Sequence, residues 1–153
     1  MLTIEDLRQV AEERRTENMA LSLAYSTTLA RLIPANFILV IGAALLALVA
    51  GGGFLIDNQI LSTTTAGVLS LLSGALTIVH SKLGCESYQA ECKKLASIHR
   101  GIAVDYGNTL IIEEIQELRK RLMSLDEQVA ATIKSAGALP FESAYQRAKA
   151  ATN

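Results

Sequence analysis

The fold is decided by residues 32–82, which read LIPANFILVIGAALLALVAGGGFLIDNQILSTTTAGVLSLLSGALTIVHSK. No charged residue occurs from Leu32 to Ile56, and from Asn58 to Ser81 the only titratable side chain is His80. About 20 apolar residues are enough to cross the hydrocarbon core of a bilayer, so each run is long enough to span a membrane. With Asp57 and a few polar residues between them, the two runs predict a transmembrane helical hairpin. The predicted spans are residues 34–56 and 62–82.

The composition favours a membrane protein over a soluble globular one. Of the 153 residues, 50% are hydrophobic but only 5% are aromatic, and tryptophan is absent. The apolar content is therefore Leu, Ile, Val and Ala, which suits lipid-facing helices better than a globular core. The net charge of -1 gives no argument for a nucleic-acid partner, whereas the hairpin predicts the lipid bilayer as one.

Basic residues lie on both sides of the hairpin and are absent from its turn. The arginines that precede it end at Arg31, and all other basic residues follow from Lys82 onward. Because Lys and Arg collect in cytoplasmic flanks, both termini are predicted to be cytoplasmic. A cleaved signal peptide is the alternative for the first run, but an acidic arm containing Glu5, Glu12 and Glu17 precedes it, which fits a signal peptide badly.

Residues 1–31 are predicted to form a cytoplasmic helical arm that starts near Thr3. Its apolar residues follow helical spacing, interrupted by Arg14 and Asn18, so the arm is amphipathic. Such a helix suits packing on another helix or lying at the lipid headgroups. Pro34 lacks a backbone N–H and disfavours helix at the residue before it, which predicts a kink or a new helix start near residues 32–34.

Residues 83–137 are predicted to be a long cytoplasmic helical region, followed by a tail at 138–153. Two apolar seams follow each other here, and the second is offset by two residues, so one straight coiled coil cannot hold both. Gly107 lies at the offset and predicts a kink or break there. Together the seams expose more apolar surface than the arm can cover, which predicts a homo-oligomer. The seams are Cys85, Tyr88, Cys92, Leu95, His99, Ile102, Tyr106 and Ile111, Ile115, Leu118, Leu122, Leu125, Val129.

The predicted fold class is therefore an all-α membrane protein, with an N-terminal amphipathic helix, a two-transmembrane hairpin and a long C-terminal cytoplasmic helix. Small residues recur every four positions in both spans and predict close helix packing there. The predicted packing positions are Ala43, Ala47, Gly51, Ala66 and Gly74.

A stripe of hydroxyl side chains along the second span is the main candidate for function. Its members alternate at spacings of three and four, which places them on one helix face. In an oligomer the stripe could line a water-filled pore, because hydroxyl groups tolerate water. Ordinary helix packing is the alternative, since Ser and Thr also join membrane helices. The candidate pore-lining residues are Thr63, Ser70, Ser73, Thr77 and His80.

No catalytic constellation is recognisable, so the chain is not predicted to be an enzyme. Cys85, Cys92 and His99 share one helix face, but at a spacing of seven their Cα atoms are about 10 Å apart along the helix, too far for one helix to chelate a metal. No metal or cofactor is predicted. The cysteines are interpreted as reduced cytoplasmic thiols, and His80 either has a function or reaches the headgroups.

Taken in order, Arg31, the two-span hairpin, Lys93, and His99-Arg100 followed by Tyr106 resemble the SLATT proteins. These are two-transmembrane effectors associated with SMODS and SLOG domains in bacterial conflict systems. The segment Tyr106-Gly107-Asn108 departs from the more continuous helix of that family. The likeness covers roughly residues 5–135.

The resemblance implies a pore-forming effector of antiviral defence in the bacterial inner membrane. It also implies a trigger, either a sensor protein or a nucleotide signal. Two other functions stay open from the sequence: a holin-like lysis protein, and a structural membrane anchor whose cytoplasmic helices recruit partners.

Overall fold

A computed structural model of the chain describes residues 3–55, 62–83 and 85–152. Over these residues all regular structure is helical, which confirms the all-α class. The predicted turn at residues 57–61 lies outside the described residues, as does Gly84. The helices are α1 (Ile4–Leu55), α2 (Thr63–Leu83), α3 (Cys85–Thr109), α4 (Ile115–Ser135) and α5 (Glu142–Thr152).

The chain divides into two compact units. The terminal unit combines Met1–Ala30 with Ala90–Asn153, and the hairpin unit comprises Arg31–Gln89. Helix α1 contributes residues to both units, because the division falls between Ala30 and Arg31.

Helix α1 begins at Ile4 and continues past the proline at which a new start was predicted. At its beginning the backbone N–H of Asp6 donates to Thr3 Oγ1 at 3.2 Å, and the N–H of Thr3 donates to the Asp6 carboxylate at 2.7 Å. This reciprocal cap satisfies two otherwise unpaired donors. Of the two alternatives predicted near residues 32–34, the new helix start does not occur, since Pro34 lies inside α1, and the kink stays a prediction. Near this proline Gln89 Nε2 donates to Leu32 O at 3.2 Å. The carbonyl that a proline at position 34 leaves without its helical donor is that of residue 30, so the bond from Gln89 is an additional one.

The hairpin unit pairs α1 with α2 through small residues that are seven positions apart. Ala43 and Ala50 on α1, and Ala66 and Ser73 on α2, are each at most 8% exposed. Ser73 Oγ donates to Ala43 O at 2.7 Å, which fixes the register of the two helices. Ser62 caps α2 by accepting the N–H of Thr65 at 3.2 Å.

Two helical stretches have the length and apolar composition needed to cross a membrane. Their most apolar windows are only 6% and 7% buried, whereas the core helix of a soluble protein is mostly buried. Large apolar side chains point away from the contact between α1 and α2. Phe37, Leu48 and Leu71, for example, are 64%, 70% and 76% exposed. A membrane location is consistent with this surface.

The terminal unit has a core of its own, built from the start of α1, the end of α3 and α4. Its buried residues are Leu7, Ala11, Ile102, Tyr106, Leu118, Leu122 and Leu125. Between α3 and α4 the chain turns at residues 110–114, where Ile112 N–H donates to Thr109 O at 3.1 Å. The break predicted near Gly107 is therefore present. The break allows α4 to pack against α3, so that the second seam contacts the first. In one straight helix the two-residue offset would place the two seams on different faces.

This packing removes the argument from which a homo-oligomer was predicted. Most of both seams is covered by α1, α3 and α4 of the same chain, and Leu95, Leu118 and Leu125 are at most 1% exposed. Ile111, at 82% exposure, is the clear exception. An oligomer therefore has to be argued from another surface.

The tail forms a helix, α5, which packs on α1 through alanines. Ala148 is buried with Ala20 and Ala24, and Tyr145 packs beside them. The segment before α5 is fixed as well, because Phe141 N–H donates to Thr28 Oγ1 at 3.0 Å and Tyr25 OH donates to Ala138 O at 3.1 Å.

Candidate functional site

The hydroxyl stripe of α2 is divided between two environments. Thr63 and Ser70 are exposed, and Ser73 is buried against α1 with its hydroxyl bonded to Ala43 O. Thr77 is exposed, although its hydroxyl donates to Ser73 O at 3.0 Å, and His80 is half-buried. For Ser73 the observed role within the chain is helix packing.

Three stripe residues, Ser73, Thr77 and His80, meet in one open groove between α1 and α2, which we call the hairpin groove. Its volume is about 350 Å³, and Glu86 at the start of α3 adds a carboxylate to its lining. Thr63 and Ser70 do not line this groove. The wall from α1 is apolar and consists of Leu39, Val40, Ala43, Ala44 and Ala47.

The small residues predicted to pack the hairpin are divided in the same way. Ala43 and Ala66 are buried at the contact, but Ala47, Gly51 and Gly74 are exposed. A Cβ added at Gly51 or Gly74 would meet nothing within 4 Å. The contact between α1 and α2 follows a seven-residue repeat that includes Ala50, which sequence reasoning missed, and the four-residue strips stay a prediction for packing against other helices. The paired spacing of seven in both spans was the sequence pattern that could have revealed Ala50.

In the terminal unit, His99 lies at the centre of a buried polar cluster. It is 2% exposed, and its Nδ1 lies 2.8 Å from Asn18 Oδ1. Asn18 Nδ2 donates to Arg14 O at 2.8 Å, so Asn18 Oδ1 is the acceptor and His99 Nδ1 carries the proton. The ring of Tyr25 stacks on the imidazole with centroids 5.9 Å apart. Burial lowers the pKa of His99, which favours the neutral imidazole.

Tyr106 connects α3 to α4 through a short hydrogen bond. Its ring is 0% exposed, and its hydroxyl donates to Asp126 Oδ1 at 2.6 Å. Arg14 Nε lies 3.7 Å from the same carboxylate oxygen, so α1 joins the contact. Burial, followed by the bond to Asp126, raises the pKa of Tyr106. The phenol is therefore a permanent donor at physiological pH.

The other positions that carry the family resemblance lie at the surface. Arg31, Lys93 and Arg100 are exposed, whereas His99 and Tyr106 are buried. Sequence reasoning missed Asn18 and Asp126 as partners of the buried pair. Asn18 was visible only as a polar interruption of an apolar stripe, and such an interruption indicates a buried polar partner on a facing helix.

Cys92 is buried and belongs to the packing of α3. Burial, with a smaller contribution from the Glu91 carboxylate, raises the pKa of its thiol. A thiol in such surroundings is a poor nucleophile.

Acidification is expected to destabilise the terminal unit through His99. Because the pKa of His99 is lowered from 6.5 in the folded chain, the unfolded chain binds more protons below that pH. The stability of the unit is therefore complete above pH 6.5 and is lost as the pH falls through the folded pKa, by at most about 1.4 kcal/mol per pH unit.

Thermal unfolding of the full chain in detergent, followed by circular dichroism at neutral and mildly acidic pH, measures this effect. His99→Gln is the matched variant, since it keeps a polar group but cannot titrate, and it should show a weaker pH dependence. An equal pH dependence in both proteins would assign the titration to another group.

Comparison with known proteins found no match to any family model, curated protein or solved structure.

Proposed function

We propose that this chain is a membrane effector whose hairpin spans a bacterial inner membrane and whose copies assemble into a pore in antiviral defence. The observation that carries the membrane part is the surface of the hairpin unit. Large apolar side chains cover the faces of α1 and α2 that point away from their mutual contact. In water such a surface would drive aggregation, whereas lipid solvates it.

The exposed part of the hydroxyl stripe supports the assembly of several copies. Thr63 and Ser70 are exposed on a single chain, and Thr77 is exposed as well, although its hydrogen is already donated to Ser73 O. Polar groups in hydrocarbon need a partner, and water or a neighbouring helix can supply it. One two-helix hairpin cannot enclose an aqueous path, so a ring of hairpins with this face inward satisfies the hydroxyls and forms a channel.

The terminal unit is the part that would receive a trigger. Its core is independent of the hairpin unit, and its buried hydrogen bonds join α1, α3, α4 and the segment before α5. A sensor protein or a nucleotide signal, as the resemblance to the SLATT proteins implies, would act on this unit.

Liposome leakage tests the proposal directly. Purified chain is reconstituted into dye-loaded vesicles of bacterial lipids. The rate of dye release should rise more steeply than linearly with protein concentration, because a pore needs several copies. Protein that inserts but never releases dye or ions, even at high density, would favour the structural anchor. Release that requires companion lysis proteins would favour the holin-like function.

Both termini are expected on the cytoplasmic side, because basic residues flank the hairpin and none occurs in its turn. Single cysteines placed at positions 2, 59 and 150 of a chain whose two native cysteines are replaced by alanine provide the measurement. In intact cells an impermeant maleimide should label only position 59 from outside. External labelling at position 2 would reverse the topology.

A further inference from the structure

The hairpin groove presents mainly hydrogen-bond acceptors. Ser73 Oγ already donates its hydrogen to Ala43 O at 2.7 Å, and Thr77 Oγ1 donates its hydrogen to Ser73 O at 3.0 Å. A hydroxyl has one hydrogen, so each oxygen keeps only lone pairs for a bound species. The groove therefore suits an electron-pair acceptor.

The charged side chain of the groove also favours a cation, because it is a carboxylate. Glu86 and His80 are the titratable side chains among its lining residues, and α1 contributes only apolar ones. An ionised carboxylate accepts hydrogen bonds or coordinates cations and donates nothing. A bound anion would meet one carboxylate and several lone pairs, whereas a cation meets complementary charge.

Two buried polar atoms of the hairpin unit have no hydrogen-bond partner within the described residues. His80 Nδ1 and Asn36 Oδ1 are shielded from solvent, and neither has a hydrogen-bond partner among the described residues. Of these two residues, His80 lines the hairpin groove, whereas Asn36 is not among its lining residues. Buried polar atoms are normally satisfied, so the unpaired His80 Nδ1 calls for a bound species in the groove.

We infer that the hairpin groove is a binding site for a monovalent metal cation such as Na⁺ or K⁺. Hard cations take oxygen ligands from carboxylates, hydroxyls and water. One carboxylate matches one positive charge, and a volume of about 350 Å³ leaves room for part of the hydration shell. This inference deepens the proposed function and, for its effect on conduction, rests on it: a carboxylate in this groove would make the leak cation-selective.

Sodium NMR of the full chain in lipid discs tests binding without requiring conduction. The Na⁺ resonance should broaden relative to empty discs, and excess K⁺ should reverse the broadening. Glu86→Gln should weaken apparent Na⁺ affinity at least about tenfold, because it removes the charge next to the ion. Glu113→Gln is the matched control, since this exposed glutamate lies in the terminal unit and should leave the broadening unchanged.

Ala44→Leu gives a second variant that keeps the carboxylate. Ala44 is exposed on the groove wall, so leucine fills the groove without entering the contact between the helices, and Na⁺ broadening should fall again. Broadening no greater than in empty discs, or full broadening in Glu86→Gln, would overturn the inference.

Reversal potentials in planar bilayers under a KCl gradient then separate the two proposals. If the native chain conducts cations selectively and Glu86→Gln reduces that selectivity, the result supports both the pore and the cation site. Na⁺ binding without conductance keeps the site and removes the pore, and unselective conductance without Na⁺ binding keeps the pore and removes the site.

Discussion

Tyr106→Ala is expected to destabilise the terminal unit by about 3–5 kcal/mol, the usual effect of deleting a buried aromatic side chain. Tyr106 is fully buried among Leu7, Ile102, Leu118 and other core residues, so its removal leaves a cavity where α1, α3 and α4 meet. Thermal unfolding of the full chain in detergent, followed by circular dichroism, should show an early loss of part of the helical signal.

Tyr106→Phe separates the ring from its hydroxyl. It keeps the aromatic packing and loses the bond to Asp126, which should cost about 1–2 kcal/mol or less because that carboxylate is half-exposed and can bind water instead. Near-equal effects of the two variants would show that the hydrogen bond, rather than the buried ring, dominates. An unchanged transition in Tyr106→Ala would contradict the core described here.

Ser70→Leu is expected to lower dye and ion leakage at least about tenfold, since a bulky apolar side chain in a water-filled path favours dewetting. Ser70 is exposed on a single hairpin and is not among the buried residues between α1 and α2. Expression, membrane insertion and thermal stability should therefore stay near those of the native chain. Leakage from vesicles at matched protein density is the measurement.

Two neighbouring substitutions control for packing. Ser73→Leu inserts volume into the buried contact with Ala43 and removes a hydrogen bond, so it should destabilise the hairpin by about 1–3 kcal/mol and lower the yield of folded protein. Leu72→Ala, on the apolar side of α2, should change leakage little. If Ser70→Leu protein leaks like the native chain, the exposed hydroxyls serve packing between helices and do not line a path.

The sequence predicted those parts of the fold that depend on local patterns. Two uncharged runs predicted the long apolar stretches of α1 and α2, and the two-residue offset of the seams predicted the break after Gly107. Of the two alternatives predicted at Pro34, the new helix start does not occur, because tertiary context overrides a local propensity of this kind. Gln89, far away in the sequence, adds a bond to Leu32 O nearby.

The partners within each unit could not be predicted in the same way. The bonds from His99 to Asn18 and from Tyr106 to Asp126 join different helices, and no periodicity fixes which residues face each other across such distances. Ala50 was missed for a similar reason, since a four-residue and a seven-residue spacing of small residues coexist around Ala43. Only the relative rotation of two helices decides between them.

The seven-residue contact has a consequence for natural variation among relatives of this chain. Ala43, Ala50, Ala66 and Ser73 share one limited volume between two helices. A larger residue at position 50 is compatible with the same helix separation only if position 66 becomes smaller, and positions 43 and 73 are linked in the same way. Side-chain volumes at these pairs should therefore co-vary inversely, whereas positions 47, 51 and 74 should drift independently of them.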